Sequence, residues 1–179
     1  NPFDVIRTHK QLNQNIKYNI NYLYRGLLPG LVTIPTFWAV YFPVYEYLKK
    51  EQKSILNGYI SVNIASTITC PLWFIRQKYQ INPKFKIIKH YEKYGIKSFY
   101  NALVTTYLIN CSFLIQMPIY ENLKTLNVKK NNTFDIFLIT AISKTIASVV
   151  FYPIDTIRTF KRNSPELSIL NIIKKLKFN

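Results

Sequence analysis

The sequence predicts an all-α protein that crosses a membrane several times and is assembled from internal repeats. Three observations carry that expectation. No charged residue falls between Arg25 and Glu46, between Lys53 and Arg76, or between Lys97 and Glu121. Each interval holds about twenty residues, enough as helix to cross a hydrocarbon core of about 30 Å. The 24 Lys and Arg, against 8 Asp and Glu, gather instead in the connections. Finally, one short pattern recurs: Pro2-Phe-Asp4-Val-Ile-Arg7, Pro71-Leu-Trp73-Phe-Ile-Arg76 and Pro153-Ile-Asp155-Thr-Ile-Arg158. Copies roughly 70 to 80 residues apart mark an internal triplication.

In chain order, residues 2–7 read as the end of a first spanning helix. A basic stretch follows (Arg7, Lys10, Lys17, Arg25), then a full span through Pro35 and Pro43 to Glu46. The next span closes on the second proline copy, giving a kinked helix that ends in the motif. Residues 84–94 form a basic amphipathic segment ending at Gly95, expected as a helix lying on the membrane surface. A third span reaches Tyr120. Asn131-Asn132-Thr133 supplies a polar loop and a capping threonine before the fourth, Ile136 to Ile154, interrupted only by Lys144. Residues 165–177 repeat the surface-helix pattern. Each span is apolar nearly all round and far longer than a strand, which argues for helix. Prolines 35, 43, 71, 118 and 153 would break soluble helices but are tolerated in membrane bundles, where they predict kinks. The three most basic regions, 7–25, 76–97 and the tail after Arg158, share one face if the full spans number four. The chain thus divides into units 1–53, 54–130 and 131–179.

Several function classes are disfavoured. A net charge of +16 would by itself suit nucleic acid or an anionic surface. With spans between the cations they form no single accessible face, so no nucleic-acid partner is expected. Cys70 and Cys111 lie in apolar spans and read as small core residues. His9 and His90 stand in basic loops with no partner at catalytic or metal spacing, and are expected to be solvated. The four glycines assemble neither a phosphate loop nor a dinucleotide fingerprint. No nucleophile, base and oxyanion set is visible, so neither enzymatic activity, a catalytic residue, a cofactor nor a metal is expected. No removable leader is expected either, since the chain opens on the first motif.

A second signature reinforces the repeat. Tyr45-Glu46-x-x-Lys49 recurs as Tyr120-Glu121-x-x-Lys124, and the helix entrances match as Leu23-Tyr24-Arg25-Gly26-Leu27 and Phe99-Tyr100-Asn101-Ala102-Leu103. Together these residues resemble the mitochondrial carrier family, whose repeats carry Pro-x-Asp/Glu-x-x-Lys/Arg on odd helices and Tyr/Phe-Asp/Glu-x-x-Lys/Arg on even ones. The resemblance implies a six-helix bundle with threefold pseudosymmetry around a central substrate site, alternating between states closed by ionic networks at opposite ends. It implies a multi-pass protein of the mitochondrial inner membrane, or of the membrane of a mitochondrion-derived organelle, with the basic connections in the matrix. Its partners would be a small nucleotide-like solute and membrane lipid, cardiolipin included, and the complete protein would be a monomer. Trp73 in place of the acid resembles the branch carrying NAD, flavin, folate and pyrimidine nucleotides. So do Tyr24-Arg-Gly-Leu-Leu-Pro29, Trp38-Ala-Val-Tyr-Phe42 and Ser143-Lys144-Thr-Ile-Ala-Ser148 before Tyr152. Within it, Ile115-Gln116-Met-Pro118-Ile-Tyr120-Glu121 is most similar to the NAD carriers. Against the family pattern, most of helix 1 and all of helix 6 are absent, suggesting truncation at both ends. One residue is also inserted between Pro35 and Trp38.

Carried onto this sequence, the resemblance implies a matrix gate. Asp4 would pair with Arg76 and Asp155 with Arg7, braced by Gln11 and Gln80. Trp73 offers no carboxylate, leaving Arg158 a cation–π contact of about 0.5–2 kcal/mol with the indole. On the opposite face Glu46, Lys49, Glu121 and Lys124, next to Tyr45 and Tyr120, would form a second network from pairs worth about 0.2–0.5 kcal/mol each. Lys144 stands out physically, because a charge near the bilayer centre costs roughly 2.5–3.5 kcal/mol. It is expected to face the central cavity and hold a phosphate. The cavity face of the third full span steps back from Glu121 through Gln116 and Ser112 to Leu108 or Ile109. That of the first includes Tyr41, Phe37 or Trp38, and Thr33 or Ile34, with aromatic surface for stacking a base or nicotinamide. The expected function is exchange of a nucleotide-like anion, NAD first, with pyrimidine nucleotides, flavin or folate behind it. A reading of another class is a truncated membrane fragment that does not transport.

Overall fold

The computed structural model describes residues 2–12, 14, 19–51, 55–127, 133–164 and 171. Its regular elements are helical throughout: α1 (Pro2–Gln11), a single turn α2 (Ile20–Leu23), α3 (Leu27–Glu51), α4 (Ile55–Ile81), α5 (Ile87–Tyr94), a 3-10 segment Ile96–Tyr100, α6 (Leu103–Asn110), α7 (Ser112–Asn127) and α8 (Thr133–Asn163). Four stretches are long and apolar enough to cross a membrane: Ile20–Lys49, Leu56–Ile81, Ile96–Leu123 and Phe134–Asn163. The first three fall where the charge-free intervals predict, and the fourth covers the apolar run around Lys144. α4 is the central element, packing on α3, α6, α7, α8 and α1.

Small residues let these helices approach. Ser61, Ala65 and Thr69 on α4, and Ser143 and Ala147 on α8, are almost fully buried, as is Thr33 on α3. Their hydroxyls are spent locally: Ser61 donates to the Asn57 carbonyl at 2.6 Å, Thr69 to Ala65 at 2.7 Å and Ser143 to Ile139 at 2.8 Å. Such back-bonding satisfies a hydroxyl where no water is at hand. The outer faces are apolar and exposed, for example Leu28, Val32 and Phe42 on α3 and Phe137 and Val149 on α8. That is the pattern of a surface covered by lipid.

The turn into α3 depends on Gly26. Its φ is +74°, and a Cβ there would lie 2.7 Å from Gln80 Cγ and 3.1 Å from the Arg76 carbonyl oxygen. Only glycine meets both demands. At the same end of the bundle, Leu12 packs on Phe160, flanked by Ile81 and Ile157, and ties the loop after α1 to α4 and α8.

Four expectations need correction. The proline motifs do not terminate their helices: α4 continues from Pro71 to Ile81, and α8 from Pro153 to Asn163. Each proline removes one backbone donor, which the surrounding helix survives, so the motif's arginine remains on helical geometry. The third span, though one continuous stretch, carries a one-residue interruption at Cys111 between α6 and α7 that the sequence did not suggest. The surface helix begins at Ile87, capped by extended Lys86, rather than at residue 84. Both histidines are buried, not solvated. His9 packs on Tyr22, ring centroids 5.1 Å apart, and hydrogen-bonds its hydroxyl and the Gln80 carbonyl. His90 sits among Phe74, Phe85, Tyr94 and Phe99 with Nε2 3.1 Å from Ser98 Oγ. Each is held by aromatic neighbours that sequence spacing alone did not bring together. Most of the expected surface helix 165–177, and Asn131 and Asn132 of the expected loop, lie outside the described residues.

Candidate functional site

The three proline copies converge at one end of the bundle because α1 packs against both α4 and α8. There Arg76 Nη2 of α4 donates to Asp4 Oδ2 of α1 at 2.8 Å, and Arg7 Nη2 of α1 donates to Asp155 Oδ2 of α8 at 2.5 Å. Both expected inter-helix ion pairs are therefore formed. They differ in setting. Asp155 is 9 % exposed at its side chain and Asp4 42 %, so the first is a partly desolvated, multiply bonded carboxylate and the second is screened by water.

Gln11 lies beneath the Asp155 pair: its Nε2 donates to Oδ2 at 2.8 Å while its Oε1 accepts from Thr159 Oγ1, also at 2.8 Å. Gln80 takes a different partner, accepting from Thr8 Oγ1 at 3.3 Å. The cation–π expectation is corrected. The Trp73 ring carries the Arg76 guanidinium, 5.1 Å from its centroid, while Arg158 bonds Asp155 one turn earlier on its own helix. A charge-assisted hydrogen bond to a carboxylate is stronger than a contact with an indole face, and the i to i+3 spacing puts that carboxylate within reach. Asp155 thus accepts from two arginines and a glutamine.

These side chains line a common pocket of about 310 Å³. It also contains Thr8, Gln77, Thr159 and Arg162, which sequence reasoning missed. A signal for Arg162 existed, since it stands nine residues after Pro153 where the other copies have Gln11 and Gln80.

Lys144 is exposed, in a separate open pocket of about 690 Å³ with Arg7, Ser148, Tyr152 and Pro153. Lys144, Ser148 and Tyr152 recur every four residues and so form one stripe along α8 toward the ion-pair end. On α3 the aromatic residues form a ladder: Tyr45 stacks on Tyr41 (5.7 Å, 9°), Tyr41 on Phe37 (6.2 Å, 11°), and Phe37 meets the edge of Trp73 (6.4 Å, 77°). Trp38 instead stacks on Phe42 at 5.3 Å and is 46 % exposed. Thr33 is removed from the cavity face: it is 1 % exposed, between α3 and α4, with Oγ1 donating to the Pro29 carbonyl at 2.6 Å. Gln116, Ser112 and Ile109 are half-buried and Leu108 is exposed.

Beside them sits a polar cluster that the sequence did not announce. Asn110 Nδ2 donates to Asn63 Oδ1 at 2.9 Å and Ser66 Oγ at 3.1 Å, and Tyr107 and Thr67 hydroxyls meet at 2.6 Å. It joins α4 to α6 just before the break at Cys111, whose Sγ lies 3.4 Å from the Tyr59 hydroxyl. At the opposite end Glu46 and Lys49 are 3.8 Å apart and exposed. Glu121 is exposed on α7, and the Lys124 side chain lies outside the described residues.

Comparison with known proteins adds independent support. Residues 52–131 match the family model described as mitochondrial carrier protein. Mitochondrial substrate carrier family protein W of Dictyostelium discoideum is 29 % identical over 91 % of this chain and 64 % of its own length. Mitochondrial nicotinamide adenine dinucleotide transporter 1 of Saccharomyces cerevisiae is 30 % identical, over 76 % of this chain and 45 % of its own. Solute carrier family 25 member 33 of Bos taurus is 29 % identical, over 76 % and 53 %. The chain therefore spans between about half and two thirds of the length of these curated relatives. The repeated motifs, the helical architecture with four candidate spans, and these matches agree: residues 52–131 match the mitochondrial carrier family, and the chain is similar to members of that family over most of its length.

Proposed function

We propose that this chain forms the greater part of a carrier that exchanges a nucleotide-like anion across the mitochondrial inner membrane by alternating access, with NAD the favoured cargo. The observation that carries this reading is the pair of inter-helix ion pairs, Asp4 with Arg76 and Asp155 with Arg7, built from repeated motifs at one end of four candidate spans. Such pairs join different helices and can separate as those helices tilt, which a purely structural cap on one helix would not do. In this reading residues 1–53, 54–130 and 131–179 are the repeat units, and the ion pairs with Gln11 and Gln80 form the gate on the matrix side. Glu46, Lys49, Glu121 and Lys124 contribute to the gate opposite. The named NAD transporter among the relatives supports the cargo, as does the Phe37–Tyr41–Tyr45 ladder, an aromatic wall suited to a base or nicotinamide ring. Lys144 supplies the cation for a phosphate. Membrane lipid, cardiolipin included, covers the outer grooves.

The experiment is uptake into liposomes containing the complete gene product, with internal and external NAD and with pyrimidine nucleotide, flavin and folate as competitors. Saturable exchange of NAD, reduced at least tenfold by Lys144→Ala with insertion intact, is the expected result. Exchange of a competitor but not NAD would reassign the cargo, and no uptake of any would favour a non-transporting membrane component. Unchanged transport in the Lys144 variant would remove that residue from the cavity.

A further inference from the structure

Among the described residues, charge at the proline-motif end does not balance. The pocket there is lined by four guanidinium groups, Arg7, Arg76, Arg158 and Arg162, against two carboxylates, Asp4 and Asp155. Two departures from the repeat create the surplus: Trp73 stands where the other copies carry Asp, and Arg162 where they carry Gln. Arg162 is 7 % exposed, its Nε has no hydrogen-bond partner among the described residues, and its Nη2 reaches Thr106 Oγ1 only at 3.4 Å. Among the described residues no carboxylate pairs with it. Arg76 Nε is likewise buried without a hydrogen-bond partner among the described residues. A buried guanidinium with unmet donors is costly unless an anion joins it.

Among the described residues, the first of these departures also leaves one contact between the three motif helices without an ionic link. α1 is joined to α4 by Asp4–Arg76 and to α8 by Arg7–Asp155, whereas Trp73 denies α4 the acid that would reach α8. We propose that this pocket binds a phosphate-class anion, held by Arg162 and Arg76, which supplies the negative charge the second repeat lacks and ties α4 to α8. The geometry suits it: guanidinium donors match phosphate oxygens, and about 310 Å³ accommodates the ion with several waters of about 30 Å³ each. The bound anion would stabilise the closed arrangement of this end whatever the cargo is.

The test uses intrinsic fluorescence. The chain has two tryptophans, so Trp38→Phe leaves Trp73, in the pocket wall, as the only indole. In nanodiscs of neutral lipid, inorganic phosphate replaces chloride at constant ionic strength. A saturable change in Trp73 emission with a parallel rise in Tm is expected. Arg162→Gln, which restores the residue type of the other repeats, should raise the half-saturating phosphate concentration at least tenfold, and Arg162→Lys should fall between. In discs containing phosphatidylglycerol, emission already at its saturated value, and lost in Arg162→Gln, would identify lipid headgroups as the source of the phosphate. An unresponsive wild type in neutral discs, an equal response to chloride, or unchanged titration in both Arg162 variants overturns the proposal. A response that emerges only in Glu166→Gln also overturns it, because the tail would then supply the missing carboxylate. No transport enters the readout, so the result is independent of the cargo.

Discussion

Replacing Asp155 by Asn gives the sharpest test of the ion-pair architecture. The carboxylate is 9 % exposed at its side chain and accepts from Arg7, Arg158 and Gln11. Asn keeps the shape but removes the charge, leaving two arginines beside Arg162 in a pocket that already carries excess positive charge. Breaking a buried pair from one side costs about 3–5 kcal/mol. Because the Arg7 side chain is 53 % exposed and partly screened, the lower end, about 3 kcal/mol, is appropriate. Asp4→Asn removes one bond from a carboxylate that is 42 % exposed, and should cost below about 1 kcal/mol. Arg7→Gln should also be mild, since Asp155 keeps Arg158 and Gln11. Thermal unfolding of the purified chain in detergent, followed by circular dichroism, should show a Tm lower by roughly 6–12 °C for Asp155→Asn and by less than about 4 °C for the other two. Equal shifts for Asp155→Asn and Asp4→Asn, or a shift for Arg7→Gln as large as that for Asp155→Asn, would refute the view that Asp155 is the hub.

Three further outcomes follow from local geometry. Gly26→Ala meets both a positive φ and a 2.7 Å approach to Gln80 and should destabilise by about 2–3 kcal/mol, whereas Gly95→Ala, with nothing within 4 Å, meets only the backbone cost of φ +68° and ψ 178°, about 1–3 kcal/mol, both read as Tm. Burial among rings, and secondarily the Lys78 ammonium, push His90 below the usual imidazole range. The folded state therefore prefers neutral His90, and its contribution, complete above an unfolded value of about 6.5, is lost as pH falls through the depressed folded value. Tm measured from pH 7.5 down to 5 should fall less steeply in His90→Gln. Asn110→Ala loses bonds to Asn63 and Ser66 and should cost about 0.6–1.7 kcal/mol, the range for polar contacts between membrane helices. A larger loss would mean that the break at Cys111 depends on them.

How much could be read without coordinates depended on whether a feature lay in sequence spacing or in packing. Three of the four spans were legible because a charge is costly in hydrocarbon, so its absence over about twenty residues is a strong constraint; the fourth was legible as an apolar run despite Lys144. The pairing of Asp4 with Arg76 followed from the family resemblance, in which the acid of one repeat pairs with the cation of the next. Arg158 was misassigned because the family network names the partner in the neighbouring repeat and is silent about the acid three residues back on the same helix. His9 and His90 were read as solvated because their basic neighbours dominate the local sequence, whereas burial is decided by Tyr22 and by Phe74 and Phe99 from other elements. Thr33 looked like a cavity residue by helical interval, but its small size draws it into the α3–α4 contact. The Asn110 cluster left no pattern at all, since its members lie on two helices with no shared spacing.

The double use of Asp155 bears on how the proposed gate could open. If Asp155 paired with Arg7 alone, separating α1 from α8 would strand a buried carboxylate, a penalty large enough to lock one state. With Arg158 on its own helix and Gln11 from α1 sharing the carboxylate, departure of α1 leaves Asp155 still neutralised by Arg158. The freed Arg7 is already half-exposed and can turn toward the pocket that holds Lys144. The interface is thereby held by contacts that add up to stability in the closed state and that can be released without an orphaned charge. A two-state element needs that balance, because only a gap of a few kcal/mol can be crossed by the differential binding of a solute. The tryptophan in the second repeat works in the same direction: it replaces a permanent ion pair between α4 and α8 with an interface whose closure can depend on a mobile anion.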